Sequence, residues 1–411
     1  MLIFAGLFVS LSMCYLSLHI FWNIRRITVM HAVAMSALYP LVLRTWFEIF
    51  PHERVFFVTE TDRVYLVYIV GGMIALVGLA SELTLGSGTS YAGTAVGRFR
   101  GLRGFTVAMV VVGLVQASSI GISMGSLAGQ NRAEIRAGAS LVVVVFGYLL
   151  PLVAIAFAHE VGTFSNRSSL IAIAFSGVTI VVGFRGLLIS SLIAAAISYV
   201  NGGAKINSKA TRRIGAAFVL VVVGMTALRP QAEAGVYSAL ANRASYTPEY
   251  QIDIAWKLQS SQDYMGQWFV RELQARVGGG VETLQQAVWR FDFPDAKFIG
   301  GAYPVFGDLV GNVGGGWWLV YTLMVASAVW WDVSGGRLAR AHGGLINDML
   351  VWIWLRVALF GLAAGLVPAV LAFFFTLTFM RPRSKAGPEG SRDAPRPSPA
   401  SWVAGFVKGW R

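Results

Sequence analysis

The chain reads as an all-α polytopic membrane protein. Of its 411 residues 56% are hydrophobic and only 13% charged, and its mean hydropathy is +0.63. A soluble domain is roughly a quarter charged, so this composition cannot clothe a water-exposed surface. The apolar residues are gathered into runs long enough to cross about 30 Å of hydrocarbon. The single cysteine, Cys14, lies inside such a run, which excludes an intrachain disulfide and any metal site built on cysteine.

Taken in order, the runs predict roughly eleven spans. They fall near residues 1–22, 27–47, 64–82, 105–125, 139–158, 170–184, 187–200, 214–228, 312–331, 338–355 and 357–380. The spans 170–184 and 187–200 are short and flank Arg185-Gly186, the kind of interruption at which membrane folds build polar sites. Four segments follow: amino-terminal membrane helices over 1–228, a polar loop over 229–311, carboxy-terminal membrane helices over 312–380, and a tail over 381–411.

With the amino terminus outside, the inner loops carry Arg25 and Arg26, then Arg98, Arg100 and Arg103, then Lys205, Lys209, Arg212 and Arg213, then Arg337 and Arg340. The first outer loop instead mixes Glu48, Glu53, Glu60 and Asp62 with Arg54 and Arg63. Met1 opens an apolar run with the arginine pair behind it, the pattern of an uncleaved first span. The large loop is therefore placed outside. Within it Thr247 is expected to cap a helix with Pro248 at its first position. The stretch from Pro248 to Val277 reads as an amphipathic helix or helix pair that ends at Gly278, Gly279 and Gly280 and seats Trp256, Trp268 and Phe269 on the membrane surface. The tail is basic and Pro-rich, so it is expected to be disordered on the inner side, with Trp402, Phe406 and Trp410 spaced to lie on anionic lipid. It contributes to the net charge of +13, which points to a membrane surface and not to nucleic acid.

Several chemistries leave no trace. There is no Walker loop, no His-Glu-x-x-His and no Rossmann glycine pattern. Gly121-Ile122-Ser123-Met124-Gly125 matches the nucleophile-elbow string, but with no strand before it the small residues read as helix-packing positions, as do Gly361 and Gly365. His159-Glu160 has no second histidine at helical spacing, so no zinc site is expected.

Two arginines interrupt apolar runs, Arg185 in IVVGFRGLLISSLIAAAISYV and Arg356 in VWIWLRVALFGLAAGLV. A guanidinium inside a bilayer is costly unless it reaches a cavity or an anion, although long basic side chains also snorkel to headgroups. Both are expected at the start of an inward-running helix, where the dipole is already positive. A phosphate between cation and helix would resolve that conflict.

The string GFRGLLISSLIAAAISYVNGG, followed by a basic inner loop, a span and one large outer loop, resembles the bacterial oligosaccharide repeat-unit polymerases of the Wzy, or O-antigen polymerase, type. YPVFGDLVGNVGGGWWLVYTL resembles the segment by which that family returns to the membrane, and Arg356 fits a late arginine between spans. The resemblance covers residues 165–380 in organisation. It implies a GT-C architecture in the bacterial inner membrane, acting on the periplasmic side without nucleotide, metal or other cofactor. The growing glycan would pass from undecaprenyl diphosphate to a fresh lipid-linked repeat unit, with a chain-length regulator protein as a further partner. Arg185 and Arg356 would then stabilise the departing diphosphate. Asp308 stands where many relatives carry glutamate, either as proton acceptor or as a turn carboxylate. Arg243, Arg271, Arg276 and Arg290 in the outer loop are second candidates, for glycan or diphosphate. Two other functions remain open: an O-antigen ligase and a transporter of polysaccharide or lipid-linked sugar. The 229–311 loop holds no histidine, which disfavours the ligase, and the break at Arg185 has no counterpart in the first half, which disfavours the transporter.

Overall fold

A computed structural model describes residues 1–50, 58–85, 101–119, 141–160, parts of 190–201, 236–261, 266–276, 281–294, 304–334 and 344–379. Helix is the only regular secondary structure among them. The helices are α1 (Leu2–Ile24), α2 (Val29–Ile49), α3 (Thr61–Leu85), α4 (Leu102–Ser119), α5 (Leu141–Glu160), α6 (Val236–Ala241), α7 (Thr247–Ser261), α8 (Gln267–Arg276), α9 (Leu284–Asp292), α10 (Val305–Val313), α11 (Trp317–Ser334), α12 (Leu345–Phe360) and α13 (Leu362–Phe379). Three stretches among the described residues are long and apolar enough to cross a membrane: Leu2–Ile24, Thr61–Leu85 and Val305–Ser334. The last joins α10 and α11 through the short turn Gly314–Gly316. Residues 170–184 and 214–228, two of the expected spans, lie outside the described residues.

Helices α1, α2 and α3 pack on one another, α11 lies against α3, and α12 lies against α2. Glycines on α3 permit this closeness, since a Cβ on Gly71 would meet the Phe306 ring at 2.5 Å and one on Gly72 would meet Val9 at 2.7 Å. Phe306 is the hub of the interior. It is fully buried, with the rings of Tyr321, Trp317 and Tyr68 at 5.0, 5.5 and 6.0 Å.

At one end of the bundle, carboxylates take up helix amino termini that hydrocarbon would leave unsatisfied. Thr28 caps α2 in a capping box with His31, and Asp332 from the end of α11 accepts the N–H groups of Val29 at 3.1 Å and Met30 at 2.7 Å. Buried Asp348, in the first turn of α12, accepts from Asn201 at 2.6 Å and bonds His159 at 2.7 Å. Asn201 in turn accepts the Ile27 N–H at 2.7 Å. These bonds tie together the ends of α1, α5 and α12 and residue 201. His159 therefore has a carboxylate partner from a distant helix.

At the other end sit α6 to α9, and here three expectations are corrected. Thr247 is not a helix cap: the chain runs through it in right-handed helical conformation, from α6 by a π-helical turn, Asn242–Tyr246, into α7. The wider turn accommodates Pro248, which lacks an N–H and would crowd a tighter helix before it. The stretch from Pro248 is a helix pair, α7 and α8, in which α8 exposes Phe269 and Val270 but the first part of α7 lies inside the protein and not on a surface. Tyr250, Gln251, Ile252, Asp253, Ile254 and Ala255 are all buried, so this part of α7 is enclosed, while its last turn from Trp256 is partly exposed; α7 packs on α10. The return to the bundle also begins earlier than residue 312, at Val305.

Candidate functional site

The last two helices are separated at Gly361, not at Arg356. Gly361 adopts φ 87, a conformation that a residue without a Cβ reaches without strain, and its N–H closes the last turn of α12 onto Val357 at 2.9 Å. Helix α13 then starts at Leu362, and a Cβ on Gly365 would collide with the Val357 side chain, so small residues let the two helices meet closely.

Asp308 reaches this break from α10. Its Oδ2 accepts the Leu362 N–H at 2.6 Å, so the return segment supplies the anion that the amino terminus of α13 attracts. One turn further along α10, Asn312 donates to the Asp308 carbonyl at 2.8 Å and accepts the Phe269 N–H at 2.7 Å, while its own carbonyl accepts from Gly266 at 2.7 Å. The return segment thus holds α13 with Asp308 and the start of α8 with Asn312.

Arg356 lies in α12 about one turn before that break. It is not at a helix amino terminus, which corrects the electrostatic argument made from sequence: near the carboxy-terminal end of its own helix a cation is favourably placed, and Asp308 already serves the next helix. Its environment is nonetheless unusual. The residue is 8% exposed, and its guanidinium has the rings of Tyr148, Phe360 and Trp352 at 5.4, 5.4 and 5.7 Å. Arg356 Nη1 donates to Ser190 Oγ at 3.1 Å, and Trp352 Nε1 donates to the same oxygen at 2.8 Å. A cation enclosed by aromatic walls is strongly attractive to an anion because little water screens it. Arg356 and Asp308 are therefore both brought to the Gly361 break, Asp308 through Leu362 and Arg356 through α12.

The remaining sequence candidates divide. Arg185 lies outside the described residues, five positions before Ser190. Arg243 falls in the π-helical turn and Arg276 ends α8, and of their side chains nothing is described. Arg271 is half-buried, with its guanidinium 4.9 Å from the Trp268 ring. Arg290 is exposed and pairs with Glu282 at 3.1 Å, a solvated loop contact of small energetic weight. Among the described residues, no three His, Cys, Asp or Glu side chains converge to hold a metal ion.

Sequence reasoning missed the polar cluster that fastens α7. Buried Arg44, near the end of α2, pairs with Glu48 one turn on and with buried Glu249 at 2.6 Å, and Glu249 also accepts from Ser245 at 2.7 Å. The signal was an arginine inside an apolar helix with glutamate four residues later. Beside it Asp253 accepts from Thr59 at 3.2 Å and pairs with Lys257 at 2.8 Å. A cleft of about 40 Å³ opens there between Arg63, Asp253, Trp256 and Lys257, with the Arg63 guanidinium stacked 3.4 Å from the Trp256 ring centroid. Tyr250 donates to Asp292 at 2.9 Å. Burial, and then that bond to a carboxylate, push its hydroxyl above the ordinary tyrosine range, because both disfavour a phenolate.

No family model, curated protein or solved structure matches the chain.

Proposed function

We propose that this chain is a membrane glycosyltransferase of the Wzy type, transferring a growing glycan from undecaprenyl diphosphate to a fresh undecaprenyl-diphosphate-linked repeat unit. The observation that carries the reading is Arg356: a guanidinium buried among aromatic rings in an apolar helix, beside a helix break. A guanidinium in so apolar a setting attracts an anion strongly, and an anion of matching chemistry is the lipid diphosphate that leaves as the glycan is transferred. Arg185 has the same role from the segment that carries Ser190. Asp308 sets the start of α13 and so fixes the wall of the site.

In this reading the eleven spans have a GT-C arrangement, and α6 to α9 lie on the periplasmic face of a bacterial inner membrane. The basic loops at the opposite end, the Arg25 end, agree with that orientation. A chain-length regulator would be an accessory partner.

A gel of surface glycan from a strain lacking the gene tests the proposal. Single-repeat material in place of a ladder is expected. Loss of all attached glycan would instead assign the chain to ligation or transport.

A further inference from the structure

The hydrogen bonds around Thr28, at the start of α2, fix where each proton sits. His31 Nε2 lies 2.9 Å from the Ser17 carbonyl, which only accepts, so Nε2 carries a proton. His31 Nδ1 takes the Thr28 N–H at 3.3 Å in the capping box, so Nδ1 carries none. The 2.6 Å contact between Nδ1 and Thr28 Oγ1 is then made by the threonine's own proton. That proton is spent, yet Thr28 Oγ1 also lies 3.2 Å from Glu82 Oε2, and two oxygens that close need a hydrogen between them. The carboxyl group supplies it. The reverse arrangement, an imidazolium at His31 and a carboxylate at Glu82, would put a proton on Nδ1 and break the capping box.

The surroundings agree. Glu82 is 1% exposed and its Oε1 accepts no hydrogen bond. An ionised carboxylate bare on one oxygen inside a bundle is costly, and a neutral carboxyl group much less so. Among the described residues, Asp332 on α11 is the charged group whose field acts on Glu82. Asp332 accepts the N–H groups of Val29 and Met30, where the dipole of α2 favours its charge. Of two acids so placed, the one that caps the helix keeps the charge and the other keeps the proton. The other helices packed on α3 bring no rival partner: α1 reaches the site through the Ser17 carbonyl on His31, Arg25 beyond it stacks on Trp22, and α7 meets α3 at the far end, beside Arg63.

We propose that Glu82 is a proton-binding site, a neutral carboxyl group that donates Oε2–H to Thr28 and so heads a one-way chain of donors from Glu82 to Thr28, His31 and Ser17. The chain fastens α3 to α2 and α2 to α1, and it works as a pH-sensitive latch. Removing the proton leaves the Thr28 oxygen facing a carboxylate with no hydrogen between them, and it sets two like charges, Glu82 and Asp332, beside the start of α2. The folded protein holds a proton that the unfolded chain releases, so stability falls as pH rises. None of this depends on the glycan-transfer reading of Arg356.

Infrared spectra and melting midpoints of the full chain in lipid nanodiscs, taken across a pH series, test the proposal. Near neutral pH the parent should show the carbonyl stretch of a protonated carboxyl group. Glu82→Gln keeps the shape and can donate its amide N–H to Thr28, so it should lose that band and melt with the parent. On raising the pH the parent's band should vanish together with a fall in melting midpoint that Glu82→Gln lacks. Thr28→Ser keeps the hydroxyl and should keep the band in place, whereas Thr28→Val removes the acceptor of the carboxyl proton and should shift it. That shift assigns the band to Glu82 even if the glutamine variant fails to fold. A carboxyl band that is absent from the parent, unchanged in Glu82→Gln, or identical in the parent and Thr28→Val means that Glu82 is ionised, and overturns the proposal. Parallel alkaline declines in the parent and Glu82→Gln overturn the latch.

Discussion

The Asp308 carboxylate accepts the backbone N–H of Leu362 at 2.6 Å, across more than fifty positions of chain. This bond joins the segment that returns from the polar loop to the first residue of the last helix. It places a negative charge where the dipole of α13 is positive, and it sets the break beside which Arg356 lies. The carboxylate, from sequence either a proton acceptor or a turn residue, caps the start of α13.

That geometry separates two roles for Asp308. Asp308→Asn keeps an acceptor oxygen for the Leu362 N–H and should retain both the glycan ladder and the melting midpoint. Asp308→Ala removes the cap and should cost about 1 kcal/mol of stability. Loss of the ladder in an asparagine variant of normal stability would show instead that the carboxylate's charge or proton affinity is needed.

For Arg356, truncation to alanine should reduce polymerisation by a factor on the order of a hundred or more, with the protein still in the membrane. Arg356→Lys should recover little, since an ammonium keeps the charge without the planar fork that Ser190 and the rings hold. Arg185→Ala is expected to behave likewise. Quantified ladders from complemented strains, normalised to protein abundance, check all three, and full activity in the alanine variants would return these residues to headgroup contacts.

The pair Arg44–Glu249 is a stability element. Arg44→Ala leaves the Glu249 carboxylate buried without its guanidinium, at an expected cost of about 3–5 kcal/mol. Replacing both Arg44 and Glu249 by apolar residues of similar volume should cost much less, because no unpaired charge remains at Glu249. Thermal melting of the purified single and double variants gives the comparison, and equal destabilisation of both would mean the pair contributes shape alone.

Because residues 250–255 of α7 are buried and the helix is fastened through Glu249 and Asp253, α7 is expected to be a fixed wall and not a closing lid. Amide exchange across residues 247–261 should therefore be slow with or without undecaprenyl diphosphate. A large gain in protection on adding that lipid would show that α7 moves.

Tyr250 sets an alkaline limit. Its folded-state pKa lies above its unfolded value, so the stability it contributes is fully present below about pH 10 and falls as pH rises beyond that. Tyr250→Phe has no proton to lose, and should show a flatter decline in melting midpoint between about pH 9 and 11 than the parent. Parallel declines would assign the alkaline loss to other groups.

The membrane class and the helical content were legible from composition alone, since apolar runs of this length can be satisfied only by helices that bond their own backbone. The sequence also marked Arg356 and Asp308, because charge inside an apolar run is visible without a fold. It misplaced the break between the last helices, since the arginine drew attention away from Gly361, whose backbone conformation sets the boundary. It also set α7 on the membrane surface, because Trp256, Trp268 and the neighbouring charges give an amphipathic pattern. Only the tertiary structure showed Glu249 of α7 paired with Arg44 and Asp253 of α7 bonded to Thr59, with α10 packed against the helix. Ser190 was invisible for the same reason. A serine in a run of small and apolar residues looks like packing, and its partnership with Trp352 and Arg356 exists only once segments more than 160 positions apart are folded together. Burial preference is written in each residue, whereas hydrogen-bond partners across the bundle are decided by which helices meet.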